Sequence, residues 1–186
     1  MIRPAKSAPD SGDYDHETGS VRFDLVGRGM EQWRQQRPDI DCSGKAVIGR
    51  VLMLQDIILK RVNQALAPHG LRYPSYAVLA TLRVAGHPFR LSPSRLQATM
   101  LFTSGGISNL LSRLEEQGFV RRSSDPADKR GVWVELTDEG LAIVEPAMVD
   151  HAKAERELCT MLSTPEQEGV ANLLSRMIVL NRDHIS

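Results

Sequence analysis

The side chains best suited to bind a charged ligand are arginines and lysines that gather in the middle of the chain. Between Pro88 and Arg130 there are seven basic and four acidic residues, whereas Gly131 to Cys159 holds two basic and seven acidic ones. Clustered guanidinium and ammonium groups neutralise phosphates and release counterions from DNA. The zero net charge of the 186-residue chain therefore hides a cationic segment, and this segment predicts a surface for nucleic acid.

A short polar stretch inside the cationic segment begins a helical pattern. Thr103 to Asn109 is small and polar, and apolar residues then recur at helical spacing until Gly118. Hydroxyls, an Asn amide and free backbone amides at a helix start can approach phosphates and base edges, and Arg113 follows Asn109 on the same face. This pattern favours a helix that reads DNA, although a surface helix with an ordinary polar N-terminus has the same composition.

A charged turn follows that helix. Asp128 precedes Arg130 by two residues, with Lys129 between them, which is close enough for the carboxylate to orient the guanidinium. An arginine that projects from a hairpin can enter a narrow minor groove, where the potential is most negative. A solvated charged turn would have a similar sequence, so the interpretation depends on the elements around it.

The spacing of apolar residues predicts a mainly α fold with a small β-hairpin. Val132, Val134 and Leu136 alternate with Trp133 and Glu135 and follow a turn-rich stretch after Phe119 and Val120. This hairpin is the only strand pair predicted. A hairpin that follows a tight helical trio is typical of a winged helix-turn-helix domain. The predicted helices begin near Arg22, Ser43, Tyr73, Ser92, Ser104, Thr137 and Thr164.

Three residues carry signals for helix boundaries. Gly70 is the predicted stop of the long helix that starts at Ser43. Thr137 is the predicted N-cap of the helix after the hairpin. Thr164 begins a Thr-Pro-Glu-Gln sequence in capping-box order, which predicts the start of the last helix.

Motifs for catalysis or metal binding are missing from the sequence. Gly27-Arg28-Gly29 begins a dinucleotide-like pattern, but Gln32 occupies the third glycine position and no strand is predicted before it. There is no Gly-x-Ser-x-Gly elbow and no His pair at metal-binding spacing. The sequence thus predicts no enzyme, no catalytic residue, no cofactor and no metal site.

Location is predicted from two further features. No apolar stretch reaches the roughly 18 residues that cross a bilayer, and the first 20 residues lack the apolar core of a signal peptide. Cys42 and Cys159 are too few for a disulfide framework, so both are expected as reduced thiols. These observations predict a cytoplasmic protein with no membrane partner.

The motifs together resemble a known family. The stretch Thr103-Ser-Gly-Gly-Ile-Ser-Asn-Leu-Leu-Ser-Arg-Leu-Glu-Glu-Gln-Gly-Phe-Val-Arg-Arg122, followed by Asp125-Pro-Ala-Asp-Lys-Arg-Gly-Val-Trp-Val-Glu-Leu-Thr-Asp-Glu-Gly140, is similar to the MarR family of winged-helix transcription regulators. It combines a recognition helix, an Asp-x-Arg wing and a Leu-Thr-x-x-Gly exit in the family's order. The resemblance implies a dimeric, sequence-specific DNA-binding repressor that a small-molecule effector releases.

The resemblance also implies which residues meet double-stranded DNA. A helix from about Ser104 would lie in the major groove and Arg130 in the minor groove of a palindromic operator, with half-sites roughly 10 bp apart. The implied contacts, with two further cations from the basic cluster, are Arg95, Ser104, Ser108, Asn109, Arg113, Asp128, Lys129 and Arg130.

The same resemblance divides the chain into regions. We expect a flexible tail over residues 1–20, an extra helix over 21–41 and a MarR-type domain over 42–186. Inside that domain the winged-helix core spans about 72–137. Homodimerisation helices are expected at about 43–67 and 138–182.

The extra N-terminal helix resembles an N-terminally extended MarR subgroup that includes urate-responsive regulators. Trp33 and Arg122 match two positions of that subgroup's four-residue ligand signature, but Ala77 and Leu110 occupy the other two. Loss of a carboxylate and a guanidinium disfavours urate and leaves a small anionic or aromatic effector. Trp33 could instead pack the extra helix, and Arg122 could bind phosphate or a structural carboxylate.

Two alternative functions remain open at this point. Cys42 precedes the long helix, whose dipole could increase the reactivity of a thiol, although Asp41 opposes this. The chain could therefore be a thiol-based redox-sensing repressor that acts through Cys42. It could also be a winged-helix protein-interaction module that does not use DNA.

Overall fold

The computed structural model describes residues 14–15, 20–21, 24–99, 104–124 and 131–181. Over these ranges the elements follow one another as two short strands, four helices with a third strand among them, a fifth helix, a hairpin and two more helices. They are β1 (Tyr14–Asp15), β2 (Ser20–Val21), α1 (Leu25–Gln36), α2 (Lys45–Leu66), α3 (Tyr73–Val84), β3 (Arg90–Leu91), α4 (Pro93–Thr99), α5 (Ser104–Glu116), β4 (Val120–Ser124), β5 (Val132–Leu136), α6 (Asp138–Leu158) and α7 (Thr164–Leu180). None of the helices in these ranges is long and apolar enough to span a bilayer.

The chain divides into two compact units, Met1–Ile57 and Ile58–Ser186. The boundary falls inside α2. The first unit contains β1, β2, α1 and the N-terminal part of α2, and the second contains all later elements.

In the first unit, one carboxylate both caps α1 and binds α2. Asp24 accepts a hydrogen bond from the amide of Gly27 at 2.7 Å and two from the Arg50 guanidinium at 2.8 and 3.0 Å. Partial burial acts to raise the pKa of Asp24, but these hydrogen bonds outweigh it and leave the pKa below its usual value. A Cβ on Gly49 would lie 2.9 Å from Val26 Cγ1, so the glycine permits close packing of the two helices.

The core of the second unit lies among its helices and the inner face of the sheet. Leu79, Leu82, Leu96 and Leu114 are fully buried there, and this accounts for the regular apolar spacing in α3, α4 and α5. The remaining members of this cluster are Val62, Leu66, Leu71, Tyr76, Val78, Ile107, Leu111, Val120, Val134, Leu136, Val144 and Ala147.

The predicted hairpin is present, but it belongs to a three-stranded antiparallel sheet of order β3-β5-β4. The predicted hairpin is confirmed, and β3 is a further strand that the sequence did not predict. β3 has only two residues, Arg90–Leu91, which is too short to show alternation in a sequence. β1 and β2 form a further pair that the sequence pattern did not predict, within and beside the region expected to be a tail.

The helix boundaries follow local signals, with one shift. Gly70 adopts a left-handed φ of 67° after α2 and a short 3₁₀ turn, and the Thr137 hydroxyl caps α6, as predicted. The capping box of α7 uses Ser163 and Glu166 rather than Thr164 and Gln167. A carboxylate accepts the Ser163 amide and hydroxyl at 2.7 and 2.6 Å, whereas the Gln167 amide donates to backbone carbonyls.

Much of the acidic charge after the hairpin is used within the second unit. Carboxylates along α6 pair with basic residues from α2, the turn that follows it and α3, and the pairs are Arg61–Glu157, His69–Asp150 and Arg83–Glu145. Tyr76 of α3 stacks on His151 of α6 with ring centroids 4.4 Å apart. Burial, with smaller effects of Glu155 and Tyr73, raises the pKa of Tyr76 to about 12. The acidic segment is thus largely structural.

Candidate nucleic-acid interface

Helix α5 separates its apolar and polar faces. Ile107, Leu111 and Leu114 are buried, which turns Ser108, Asn109 and Arg113 to solvent on the remaining surface. The helix therefore presents a hydroxyl, an amide and a guanidinium together, the groups that read base edges and phosphates. Ser104 begins the helix as predicted, but its side chain lies outside the described residues.

Helix α4 precedes α5 and exposes one cation. Leu96 is its buried anchor, and the Ser92 hydroxyl accepts the Arg95 amide at 3.3 Å at the helix start. Within the described ranges, neither the Arg95 nor the Arg113 guanidinium is paired with a carboxylate. Both cations are therefore available for phosphates.

Arg122 ties the hairpin to the exposed helix. Its Nη1 donates to Glu115 at 2.9 Å, its backbone amide donates to the same carboxylate at 3.1 Å, and its Nη2 lies 3.4 Å from the Ser112 hydroxyl. This is the structural carboxylate that the sequence analysis left as an alternative for Arg122. Glu115 is a residue whose role sequence reasoning missed, since its partner is in a strand and not one turn away on the same helix.

The Leu-Thr-x-x-Gly motif at the end of the hairpin connects the end of α5 to the start of α6, and we call this set of contacts the joint. The Thr137 hydroxyl donates to the Gly118 carbonyl at 2.6 Å and accepts from the Gly140 amide at 3.0 Å. The Thr137 amide also donates to the Phe119 carbonyl at 3.1 Å. A Cβ on Gly140 would lie 2.0 Å from that carbonyl oxygen, so no larger residue fits without movement of the backbone.

A buried carboxylate at the centre of the sheet was also missed. Glu135 is 8% exposed and lies between Arg121 and Arg90 of the two flanking strands. Strand alternation places it on the same face as Trp133, but its partners belong to other strands, one of which is only two residues long. No local pattern in the sequence joins these residues.

The wing tip lies outside the described residues. This includes Asp128, Lys129 and Arg130, whose predicted roles stay predictions. The structure thus brings Ser108, Asn109 and Arg113 together on one helix.

The effector residues predicted from the sequence fall in different units, Trp33 in the first and Arg122 in the second. Trp33 is 40% exposed, and the Lys45 ammonium lies 4.3 Å from its ring centroid in a cation–π contact. Ala77 and Leu110, at the other two signature positions, pack against the core of the second unit.

Cys42 is buried beside an open cavity of about 420 Å³ in the first unit. The amide of Ser43 donates to the Asp41 carboxylate, which lowers the pKa of Asp41 and keeps a negative charge next to the thiol. The cavity is lined by Asp41, Cys42, Gly44, Lys45, Ile48, Gly49 and Leu52. In the part of the chain that the structure describes, no three His, Cys, Asp or Glu side chains are grouped to hold a metal.

Comparisons with known proteins agree with this geometry. A model of the MarR family matches residues 69–131. The HTH-type transcriptional regulator PecS of Dickeya dadantii is 31% identical over 148 residues, which are 80% of this chain and 89% of that protein.

Solved structures are similar as well. A cysteine-to-serine mutant of MarR from E. coli complexed with operator DNA is 27% identical, with a TM-score of 0.66 over 75% of this chain and 99% of that one. Sco3205, a MarR family transcriptional regulator from Streptomyces coelicolor in complex with DNA, is 26% identical, with a TM-score of 0.67 over 75% of this chain and 88% of that one. The relatives are regulators and not enzymes, which confirms that part of the sequence prediction. The chain therefore belongs to the MarR family of winged helix-turn-helix transcriptional regulators.

Proposed function

We propose that this chain is a homodimeric repressor that binds a palindromic operator in the cytoplasm and occludes polymerase. The observation that carries the proposal is the exposed face of α5, where Ser108, Asn109 and Arg113 stand over a buried apolar face. Unlike Arg121 and Arg122, which are neutralised by carboxylates, Arg113 and Arg95 have no acidic partner within the described ranges. Such cations suit phosphate contacts, and the amide suits a base edge.

Each contact has a place in this proposal. The start of α5, with Ser104, Ser108 and Asn109, enters the major groove, where small side chains permit close approach. Asp128 orients Arg130 in the adjacent minor groove, and Lys129 contacts phosphate beside it.

The exposed apolar surface of α7 supports a homodimer. No residue of this 17-residue helix is buried. Contiguous apolar surface of this kind marks an interaction site, and a second copy offers the same surface through a two-fold axis. The helix exposes Val170, Leu173, Leu174, Ile178, Val179 and Leu180. In the first unit, α2 likewise exposes Val47, Ile48, Val51, Leu52 and Leu54.

Arg130→Ala is expected to weaken the specific complex with a duplex taken from upstream of the protein's own gene by about 1–3 kcal/mol, the usual contribution of one groove contact. Loss of a groove cation also reduces the slope of log K against log salt by about one per protomer. Gel shifts at several salt concentrations measure both effects.

Lys153→Ala is the matched control, since it removes one exposed cation of α6, far from α5 in sequence and outside the proposed contacts. Its slope should equal that of the unaltered protein. If the unaltered protein gives no specific shift at any salt concentration, the repressor proposal fails and a protein-interaction module takes its place.

A small anionic or aromatic effector is proposed to release the DNA, and Trp33 and Arg122 are two separate candidate contacts for it, one in each unit. The cation–π pair of Trp33 and Lys45 and the nearby cavity support an aromatic or anionic ligand in the first unit. In the second unit, an anion would compete with Glu115 for Arg122.

A thermal-shift screen of anionic aromatic metabolites tests the effector. At 100 times its Kd, a ligand should add about 2.7 kcal/mol to stability, and Trp33→Ala should lose most of this increment. Release of DNA by peroxide and by none of the metabolites, with this release abolished in Cys42→Ser, would contradict the proposal and favour redox sensing.

A further inference from the structure

We infer that Glu135 is a positioning residue that sets the angle of the wing, although it does not itself contact DNA. The inference rests on the proposed DNA-binding function. It arises from a buried carboxylate that joins all three strands of the sheet through Arg90 and Arg121.

The register of the sheet puts the three side chains in one row. Glu135 of the central strand is directly opposite Arg90 on one side and Arg121 on the other. Its Oε2 accepts from Arg121 Nε at 2.8 Å, and its Oε1 is 3.5 Å from Arg90 Nη1. Because residues directly opposite in an antiparallel sheet are the closest cross-strand neighbours, this carboxylate holds both edges with a single side chain.

Trp133 completes the arrangement. It lies two residues before Glu135 and therefore on the same face of β5. The Arg90 guanidinium is 5.0 Å from the Trp133 ring centroid. Arg90 is thus fixed by a carboxylate and an aromatic face together, which restricts its rotamers more than either would alone.

The row of Arg90, Glu135 and Arg121 links strands that lie on either side of α4 and α5 in the chain. β3 contributes only two residue pairs to the sheet, and α4 begins two residues after it. β4 follows α5 and, with β5, carries the wing. Glu135 therefore ties the strand that enters the helix-turn-helix to the strand that leaves it. Without the carboxylate, the guanidinium groups of Arg90 and Arg121 would lose the partner that links their two strands.

A purely electrostatic role and a positioning role of Glu135 predict opposite changes in operator affinity when its carboxylate is removed. Removal of a carboxylate from a DNA-binding domain makes the domain more cationic, which strengthens binding to any duplex. Loss of wing orientation weakens only the binding that depends on correctly placed groove contacts. The ratio of specific to non-specific affinity therefore separates the two.

The experiment uses an operator that the full-length protein selects from random duplexes, with a scrambled duplex of equal length as the non-specific probe. In Glu135→Gln the ratio of specific to non-specific affinity should fall about tenfold, the size of one lost base-pair contact. In Glu135→Asp, which keeps the charge on a shorter side chain, this ratio should fall less than in Glu135→Gln. Glu139→Gln is the matched control, because it removes an exposed carboxylate in the first turn of α6, outside the proposed DNA-reading face, for which no ion pair is seen in the described ranges. Its ratio should stay unchanged.

A ratio that is equal or higher in Glu135→Gln than in the unaltered protein overturns the inference. A reduced folded fraction lowers both affinities equally and leaves the ratio unaffected. If Glu135→Gln does not fold, Glu135→Asp provides the test. An unchanged ratio of specific to non-specific affinity in that variant overturns the inference. Failure of the unaltered protein to select any sequence would refute the proposed function, whereas selection with an insensitive Glu135 refutes only this inference.

Discussion

Replacement of Gly140 by alanine is expected to lower the free energy of unfolding by about 3 kcal/mol or more. The new Cβ would stand 2.0 Å from the Phe119 carbonyl oxygen, which is backbone and cannot rotate away as a flexible side chain could. To relieve the contact, α6 must move and break the Thr137 hydrogen bonds to Gly118 and Gly140. Urea unfolding followed by circular dichroism, at one fixed protein concentration, measures the loss.

Gly29→Ala is the matched control for this substitution. Gly29 lies inside α1, and a Cβ there meets nothing within 4 Å. Alanine should therefore add about 0.5–1 kcal/mol through helix propensity. If the Gly140 and Gly29 variants have equal free energies of unfolding, the joint accepts a side chain and the close contact does not explain the glycine of the Leu-Thr-x-x-Gly motif.

The double substitution Leu173→Glu and Ile178→Glu is expected to produce a monomer with at least about a hundredfold weaker operator binding. These side chains are 60% and 62% exposed on α7 and are proposed to be buried by the second copy. Four added carboxylates at a two-fold interface replace apolar burial with charge repulsion. Light scattering gives the oligomeric state, and gel shifts give the affinity.

Val84→Glu provides the comparison for that experiment. Val84 is an apolar residue at the end of α3 with 69% exposure, so it tests whether a charge on an exposed apolar position is harmful by itself. This variant should remain dimeric and bind as before. A dimer that survives in the double variant would contradict the assignment of α7 to the interface.

The elements with strong local signals could be predicted from the sequence. Ser104 to Glu116 has apolar residues at helical spacing between a small polar start and Gly118, and the structure places α5 there. The Thr137 cap and the Gly70 stop were equally local, because a hydroxyl three residues before a free amide and a left-handed glycine need no distant partner.

Features that depend on distant partners could not be predicted. β3 is recognisable only through its pairing with β5, from which it is separated by more than forty residues. The sequence left three interpretations of Arg122 open, and its ion pair with Glu115 is visible only in the structure. The α7 cap lies at Ser163 and not at Thr164, and the backbone of Ser163 is extended. Adjacent hydroxyl residues give the same local signal for a cap, so the sequence did not distinguish the two positions.

The contacts around Thr137 and Gly140 fix the orientation of α6 relative to the end of α5. They consist of three hydrogen bonds and a backbone contact that leaves no room for a methyl group. In a dimer, a small rotation between the two copies of α6 would therefore also rotate the two α5 helices. The resulting displacement of α5 increases with its distance from the rotation axis. The proposed operator has half-sites of fixed spacing. An effector that releases DNA from the proposed dimer would therefore act by changing the distance between the two α5 helices.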